Sequence, residues 1–271
     1  MKKLIAAAAT AAVCAAAHAD TTHLAAVLDA QPSGSVAKQL SSISYVRQQE
    51  LRKTADVLGA QTGFADRSAR IAALVRRDAT RLDAAFPFNA LMIGVGVMPP
   101  VIVETRGVVS LTNPEQVMRV ADRTYEIVQP PRFVAIAPTW RNYLDIGLSS
   151  VQPVIPSDSA ELPQNSAERT FWKAEVRKAY ANGVAQANAV FAKDLARLRR
   201  DYSGMRLFYA LYARGMVSAP VIASTHDVQR PDGANGISLG DSTYRITARP
   251  SFTKSSTWTP IAPLDTPANG E

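Results

Sequence analysis

Apolar positions recur at helical spacing from Ile43 to Leu58 and again from Phe64 to Phe86, where Phe64, Ile71, Leu74, Val75, Leu82 and Phe86 fall on one face. Gly59 and Gly63 lie between the two runs and are expected to break them into a helical hairpin. After Pro99-Pro100 the period shortens to that of β-structure. Strands are expected over 101–104, 116–120 and 124–128, the last two around a turn at Ala121-Asp122-Arg123. Thr139 is placed to cap a short helix carrying Trp140, Tyr143 and Leu144. Asn165 followed by Glu168 reads as a capping box. The helix it opens has Trp172, Val176, Tyr180, Val184, Ala187, Phe191, Leu195 and Leu198 on one stripe. Arg197, Arg199 and Arg200 suit its negative C-terminal end, with Gly204 interrupting and 205–216 resuming as a shorter helix. Strands return at 221–223, 237–239 and 243–247, with Gly240-Asp241 as a hairpin turn.

The pattern repeats. Phe88, Ala90, Leu91, Val97, Pro100, Val101, Ile102 and Thr105 recur 120 residues later as Phe208, Ala210, Leu211, Val217, Pro220, Val221, Ile222 and Thr225. At a spacing of 119, Asp122, Thr124, Tyr125, Ile127, Pro131 and Phe133 answer to Asp241, Thr243, Tyr244, Ile246, Pro250 and Phe252. Thr139-Trp140 is matched by Thr257-Trp258. The expected fold class is α+β: helical pairs plus antiparallel β-hairpins, an internally duplicated helix-plus-β unit around one core. Tyr125 and Tyr244 should then occupy equivalent surroundings about one shared sheet or pseudo-dyad. The single globular domain is expected over 41–258, with repeat halves near 41–144 and 165–258.

The N-terminus changes the charge and the compartment. Lys2 and Lys3 precede an apolar run from Leu4 to Ala17, and Ala17-His18-Ala19 offers small residues at a cleavage site before Asp20. Residues 1–19 therefore read as a secretory signal peptide, too short to span a bilayer. Cys14 is a candidate lipidation residue, but Val13 before it makes a poor lipoprotein site, so cleavage between Ala19 and Asp20 is expected. The whole chain has 30 Lys and Arg against 23 Asp and Glu, and loss of Lys2 and Lys3 lowers the net charge from +7 to +5. Residues 20–40 read as a flexible lead-in and 259–271 as a flexible tail.

Candidate chemistry is sparse. Cys14 is the one cysteine of the chain, and export leaves only His23 and His226 as histidines, so no disulfide, metal or haem site is expected. No glycine-rich phosphate loop occurs, and no cofactor is expected. Ser224-Thr225-His226-Asp227 holds triad residue types, but neighbours on a strand point to opposite faces. Glu104 could serve as a general acid with Glu126 or Asp122 as distant partner, yet its counterpart in the repeat is Ser224. Interleaved acids make the positive balance a solvated surface, and no direct nucleic-acid contact is expected. Trp140, Trp172 and Trp258 read as core or interface anchors.

Several motifs run in order through the mature chain. They are L-G-A-Q at Leu58 to Gln61, P-P-V-I-V-E at Pro99 to Glu104, R-V-A-D-R-T-Y at Arg119 to Tyr125 and P-T-W-R-N-Y-L at Pro138 to Leu144. R-D-Y-S-G-M at Arg200 to Met205, M-V-S-A-P at Met216 to Pro220 and Y-R-I-T at Tyr244 to Thr247 follow. With these, 40–260 resembles the DotC family of type IVB (Dot/Icm) secretion systems, whose counterpart in IncI-type conjugation machines is called TraI. The resemblance implies a non-enzymatic structural subunit of an outer-membrane-associated core complex, in the periplasm. Its implied partners are a DotD-like lipoprotein and a DotH-like protein, and Trp140, Tyr143 and Trp258 are its candidate interaction or structural aromatics. Family members are typically lipoproteins, so the poor site at Cys14 is a departure. The alternatives are a periplasmic cell-wall hydrolase using Glu104 and a periplasmic ligand-binding protein.

Overall fold

In the computed structural model, which describes residues 21–30, 43–94, 96–112, 117–145, 147–148, 150–157, 160–231 and 237–258, the break expected at Gly59 and Gly63 does not occur. The leader with Cys14, Ala19 and Asp20, and the tail 259–271, lie outside these residues. The helices are α1 (Thr21–Leu28), α2 (Tyr45–Arg77), α3 (Ala79–Ala85), α4 (Arg141–Leu144) and α5 (Ser166–Tyr212). The strands are β1 (Val97–Met98), β2 (Val101–Thr112), β3 (Val117–Gln129), β4 (Arg132–Phe133), β5 (Val221–Pro231) and β6 (Ile237–Ala248). The chain divides into two compact units, Met1–Arg81 with Leu144–Leu195 and Leu82–Tyr143 with Ala196–Glu271.

In the first unit α2 runs unbroken through both glycines for 33 residues. It opens at Ser44, whose Oγ accepts the Arg47 N–H at 3.3 Å, and ends at Asp78. Gly59 and Gly63 are contact points instead. A Cβ on Gly63 would lie 2.2 Å from the carbonyl oxygen of Tyr180, and one on Gly183 of α5 would lie 2.0 Å from that of Ala60. Bare backbones meet here, closer than any side chain permits. The first-unit core joins Val27, Leu51, Ala55, Leu58, Leu162, Trp172 and Val176.

Val27 belongs to α1, so the expected lead-in holds a packed helix over Thr21–Leu28. Its anchor is Trp172, fully buried, whose indole N–H donates to the Val27 carbonyl at 2.8 Å. Trp172→Phe is expected to remove that donor and leave a small void, costing about 1–3 kcal/mol. Faster amide exchange across Thr21–Leu28, at unchanged exchange in α5, would be the readout.

α5 begins at the expected cap: Asn165 Oδ1 accepts the Glu168 N–H at 2.9 Å. The return bond is shifted by one residue, since Glu168 Oε2 accepts from the N–H of Gln164, not of Asn165, and also from Arg47 at 3.1 Å. Gly204 does not end the helix, which continues for 47 residues to Tyr212. Arg197, Arg199 and Arg200 are therefore mid-helix residues rather than C-terminal caps.

The second unit carries two long hairpins, β2–β3 and β5–β6. The expected turns fall inside strands: Ala121 pairs with Val108 and Arg123 with Arg106, and Asp241 pairs with Asp227. The pairing instead runs on to Thr112 with Val117 in the first hairpin and to Pro231 with Ile237 in the second. Their registers agree with the sequence repeat. Ile102 pairs with Ile127 and Thr105 with Thr124; Ile222 pairs with Ile246 and Thr225 with Thr243. The register slips at Val101/Ile102 in one and at Val221/Ile222 in the other. Val97 meets Phe133, and Val217 meets Phe252.

The expectation of one shared sheet is not met, because among the described residues the strands form three separate two-stranded sheets. Nor are the two tyrosines equivalent. Tyr125 packs on the cluster of Ile102, Phe208, Leu211, Met216 and Val217, whereas Tyr244 is exposed.

Candidate functional site

A polar recess of the second unit gathers around Tyr143. Its hydroxyl bonds Asp201, a carboxylate buried in α5 that also accepts from Arg200 Nε at 2.9 Å and from Gln129 at 3.3 Å. Gln129 reaches it because the end of β3 lies opposite the register slip at Val101. Phe88 stacks on the Tyr143 ring at 5.6 Å and Arg197 covers it at 5.3 Å. Burial above all, and then the Asp201 charge, pushes the phenol up to about 12. The phenol is thus protonated at physiological pH and able to donate to Asp201. Gln129, Tyr143, Arg197 and Asp201, with Pro130, Arg132, Pro138 and Asn142, line a cavity of about 480 Å³.

Trp140 stands on the same turn, buried, its N–H donating to Asp83 at 2.7 Å while Arg141 stacks on the ring at 4.2 Å. Thr139 does not cap α4. Its N–H and hydroxyl approach Asn142 Oδ1 at 2.8 and 3.2 Å, so Asn142 is the acceptor. Trp258 lies at the exit of the second hairpin, half-exposed, and donates to Thr253 Oγ1 at 3.0 Å. Trp140 and Tyr143 thus share one turn, and Trp258 belongs to another.

Glu104 is a mid-strand residue held by Arg106 at 2.8 Å, with Arg123 at 3.8 Å. His226 Nδ1 pairs across the hairpin with Ser242 Oγ at 3.0 Å. His23 is no loop residue: from α1 its Nδ1 meets Asp66 at 2.9 Å. Asp66, buried on α2, also accepts from Gln152 at 2.8 Å and from the Tyr180 hydroxyl at 3.1 Å. Burial, and next the Asp66 charge, raises the Tyr180 phenol. This first-unit polar cluster was missed in the sequence. Its signal was an acid sharing the inward face of α2 with Leu58, Thr62 and Ala65. Among the described residues, no group of three or more His, Cys, Asp or Glu is placed to hold a metal ion, and no helix is long and apolar enough to cross a membrane.

Long helices joined to antiparallel hairpins, with buried carboxylates tying helix to strand and helix to helix, make a mixed α and β protein. Residues 45–260 match the family model T4SS_TraI, described as type IV secretory system, conjugal DNA-protein transfer. The chain belongs to that family and is a component related to type IV secretion and conjugation. The match starts at the first residue of α2 and reaches past Trp258, taking in both long hairpins. Among curated proteins none matches the chain.

Proposed function

We propose that this chain is a non-enzymatic structural subunit of the outer-membrane-associated core complex of a type IVB, Dot/Icm-like or conjugative, secretion system. It works in the periplasm with DotD-like and DotH-like subunits and helps to place the DotH-like protein at the outer membrane. The observation that carries the reading is the family match across 45–260, which makes the chain's partners other secretion subunits. The hairpins add support of a physical kind. Two-stranded sheets leave both outer edges unpaired, and Val109 and Val120, cross-strand partners on β2 and β3, expose 57% and 62% of their surface. Such edges and patches suit contacts with other chains.

A clean deletion of the gene tests this. Plasmid or effector transfer should fall to background, the DotH-like protein should leave the outer-membrane fraction, and the intact gene should restore both. Normal transfer in the deletion strain refutes the assembly role.

A further inference from the structure

The recess around Tyr143 contains a carboxylate, yet the groups it leaves for a ligand are donors. Asp201 is buried, and its two oxygens accept from Arg200, Gln129 and the Tyr143 hydroxyl, so its charge is already met within the protein. Asn142 has its Oδ1 occupied by the N–H and hydroxyl of Thr139, which leaves its amide nitrogen as a donor with no partner among the described residues. Arg132 stands exposed on β4, whose backbone is paired with β1, and its guanidinium has no ion-pair or hydrogen-bond partner among the described residues. Arg197 donates to the Tyr143 carbonyl at 3.4 Å and covers the ring at 5.3 Å. The charges of both arginines reach the Tyr143 phenol. Pro130 and Pro138 complete the wall with apolar rings and no N–H.

We propose that this recess binds the carboxylate group of a peptide, with the Arg132 guanidinium and the Asn142 amide as its donors and Pro130 and Pro138 as walls for the residue behind it. The charges agree. Arg132 and Arg197 line the recess against the single acid Asp201, which Arg200 already neutralises, so positive charge is left for an anion. A guanidinium presents its N–H groups as a planar fork that matches the two oxygens of a carboxylate. Phosphate, by contrast, is commonly held by backbone N–H groups at helix N-termini and in nests, and the two prolines supply none. A volume of about 480 Å³ lies within the usual range for ligand pockets, so there is room for more of the ligand than its carboxylate. The site is separate from the unpaired strand edges, and its occupancy does not depend on the assembly role proposed above.

Calorimetric titration of the full chain, purified from envelopes of the native host, tests this with two probes. Acetylated dialanine carries its carboxylate at the chain end, and acetyl-aspartyl-alanine amide carries it on a side chain. One or both should bind saturably with a dissociation constant of about 1 mM or below, and the tighter of the two tells which source of carboxylate is recognised. Acetylated dialanine amide, which has no carboxylate, should bind at least about tenfold more weakly, the effect of one charge-assisted hydrogen bond. Arg132→Gln and Asn142→Asp should each weaken the acid by a similar factor. Both should keep the wild-type unfolding midpoint, because Arg132 has no partner to lose and Asn142→Asp retains an acceptor for Thr139. Arg249→Gln, at an exposed arginine of the second hairpin, is the control and should bind as wild type. No saturable binding of either acid, equal binding of the amide, equal loss in the control, or tighter binding of inorganic phosphate overturns the proposal and leaves the assembly role untouched.

Discussion

Valine at Gly183 is expected to prevent the α2–α5 pair of the first unit from closing, and even alanine there should destabilise by at least about 2 kcal/mol. The atoms that a Cβ at Gly183 would strike are backbone: the Ala60 carbonyl oxygen at 2.0 Å and the Phe64 nitrogen at 2.8 Å. A flexible side chain could swing aside, but a helix backbone can only move as a body. The whole crossing must then open, and with it the contacts that Gly59 makes against Val176 and Ala179. Against this stands the gain from replacing glycine by alanine in a helix, about 1 kcal/mol. The sign of the result therefore decides between two roles. A glycine that merely interrupted a helix would be improved by alanine, whereas a glycine at a crossing is harmed. Urea unfolding of Gly183→Ala and Gly63→Ala, followed by circular dichroism, reads the sign directly; a raised midpoint in both would remove the close crossing.

That distinction also explains what the sequence did and did not disclose. Glycine between two helical runs is the usual mark of a break, and the partner that turns Gly59 and Gly63 into contact points lies some 120 residues away, at Val176 to Gly183. Local pattern carries no trace of it. The same holds for Gly204, whose reason is the strand at Val101. Capping at Asn165, by contrast, is a local matter of a carboxamide, a carboxylate and backbone amides within four residues, and it was legible except for the one-residue shift of the return bond. The hairpin turns were misplaced because Asp122 and Asp241 look like loop residues. Both faces of a projecting two-stranded ribbon meet water, so polar residues continue a strand there without cost. The α+β class was visible in the order of helical and β-type runs, but the pairing of β2 with β3 was not, since a turn at Ala121-Asp122-Arg123 would have joined 116–120 to 124–128. What the repeat could not show was cover: which hairpin lies against α5 is a fact of tertiary packing, and it makes Tyr125 and Tyr244 different. Of the recess, Trp140 and Tyr143 stood out as large aromatics. Asp201 did not, because it reads as one more acid among the arginines of a helix.

Removing the Asp201 carboxylate is expected to be the most damaging single change in the second unit. Asp201→Ala would leave the buried Tyr143 hydroxyl and the Gln129 amide without their acceptor, while Arg200, half-exposed, can turn to water. A cost of about 3 kcal/mol follows, at the lower end for breaking a buried charged network, because one cation escapes to solvent. Asp201→Asn keeps the shape and removes only the charge. In that variant the Tyr143 phenol should titrate below about 12 yet still above 10, since burial is the larger cause of its shift and remains. The linkage has a definite direction. A group whose pKa is raised by folding contributes its full stabilisation below the unfolded value, near 10, and loses it as pH rises to the folded value of about 12. Within that window the wild-type chain should lose up to about 1.4 kcal/mol of stability for each pH unit, and Asp201→Asn should lose less in all. Tyrosinate absorbance against pH, with unfolding midpoints at the same pH values, measures both. Identical alkaline behaviour of the two proteins would mean that Asp201 does not hold the phenol proton. The recess would then be a gap between elements and not the joint that ties α4 to the mid-helix arginines of α5.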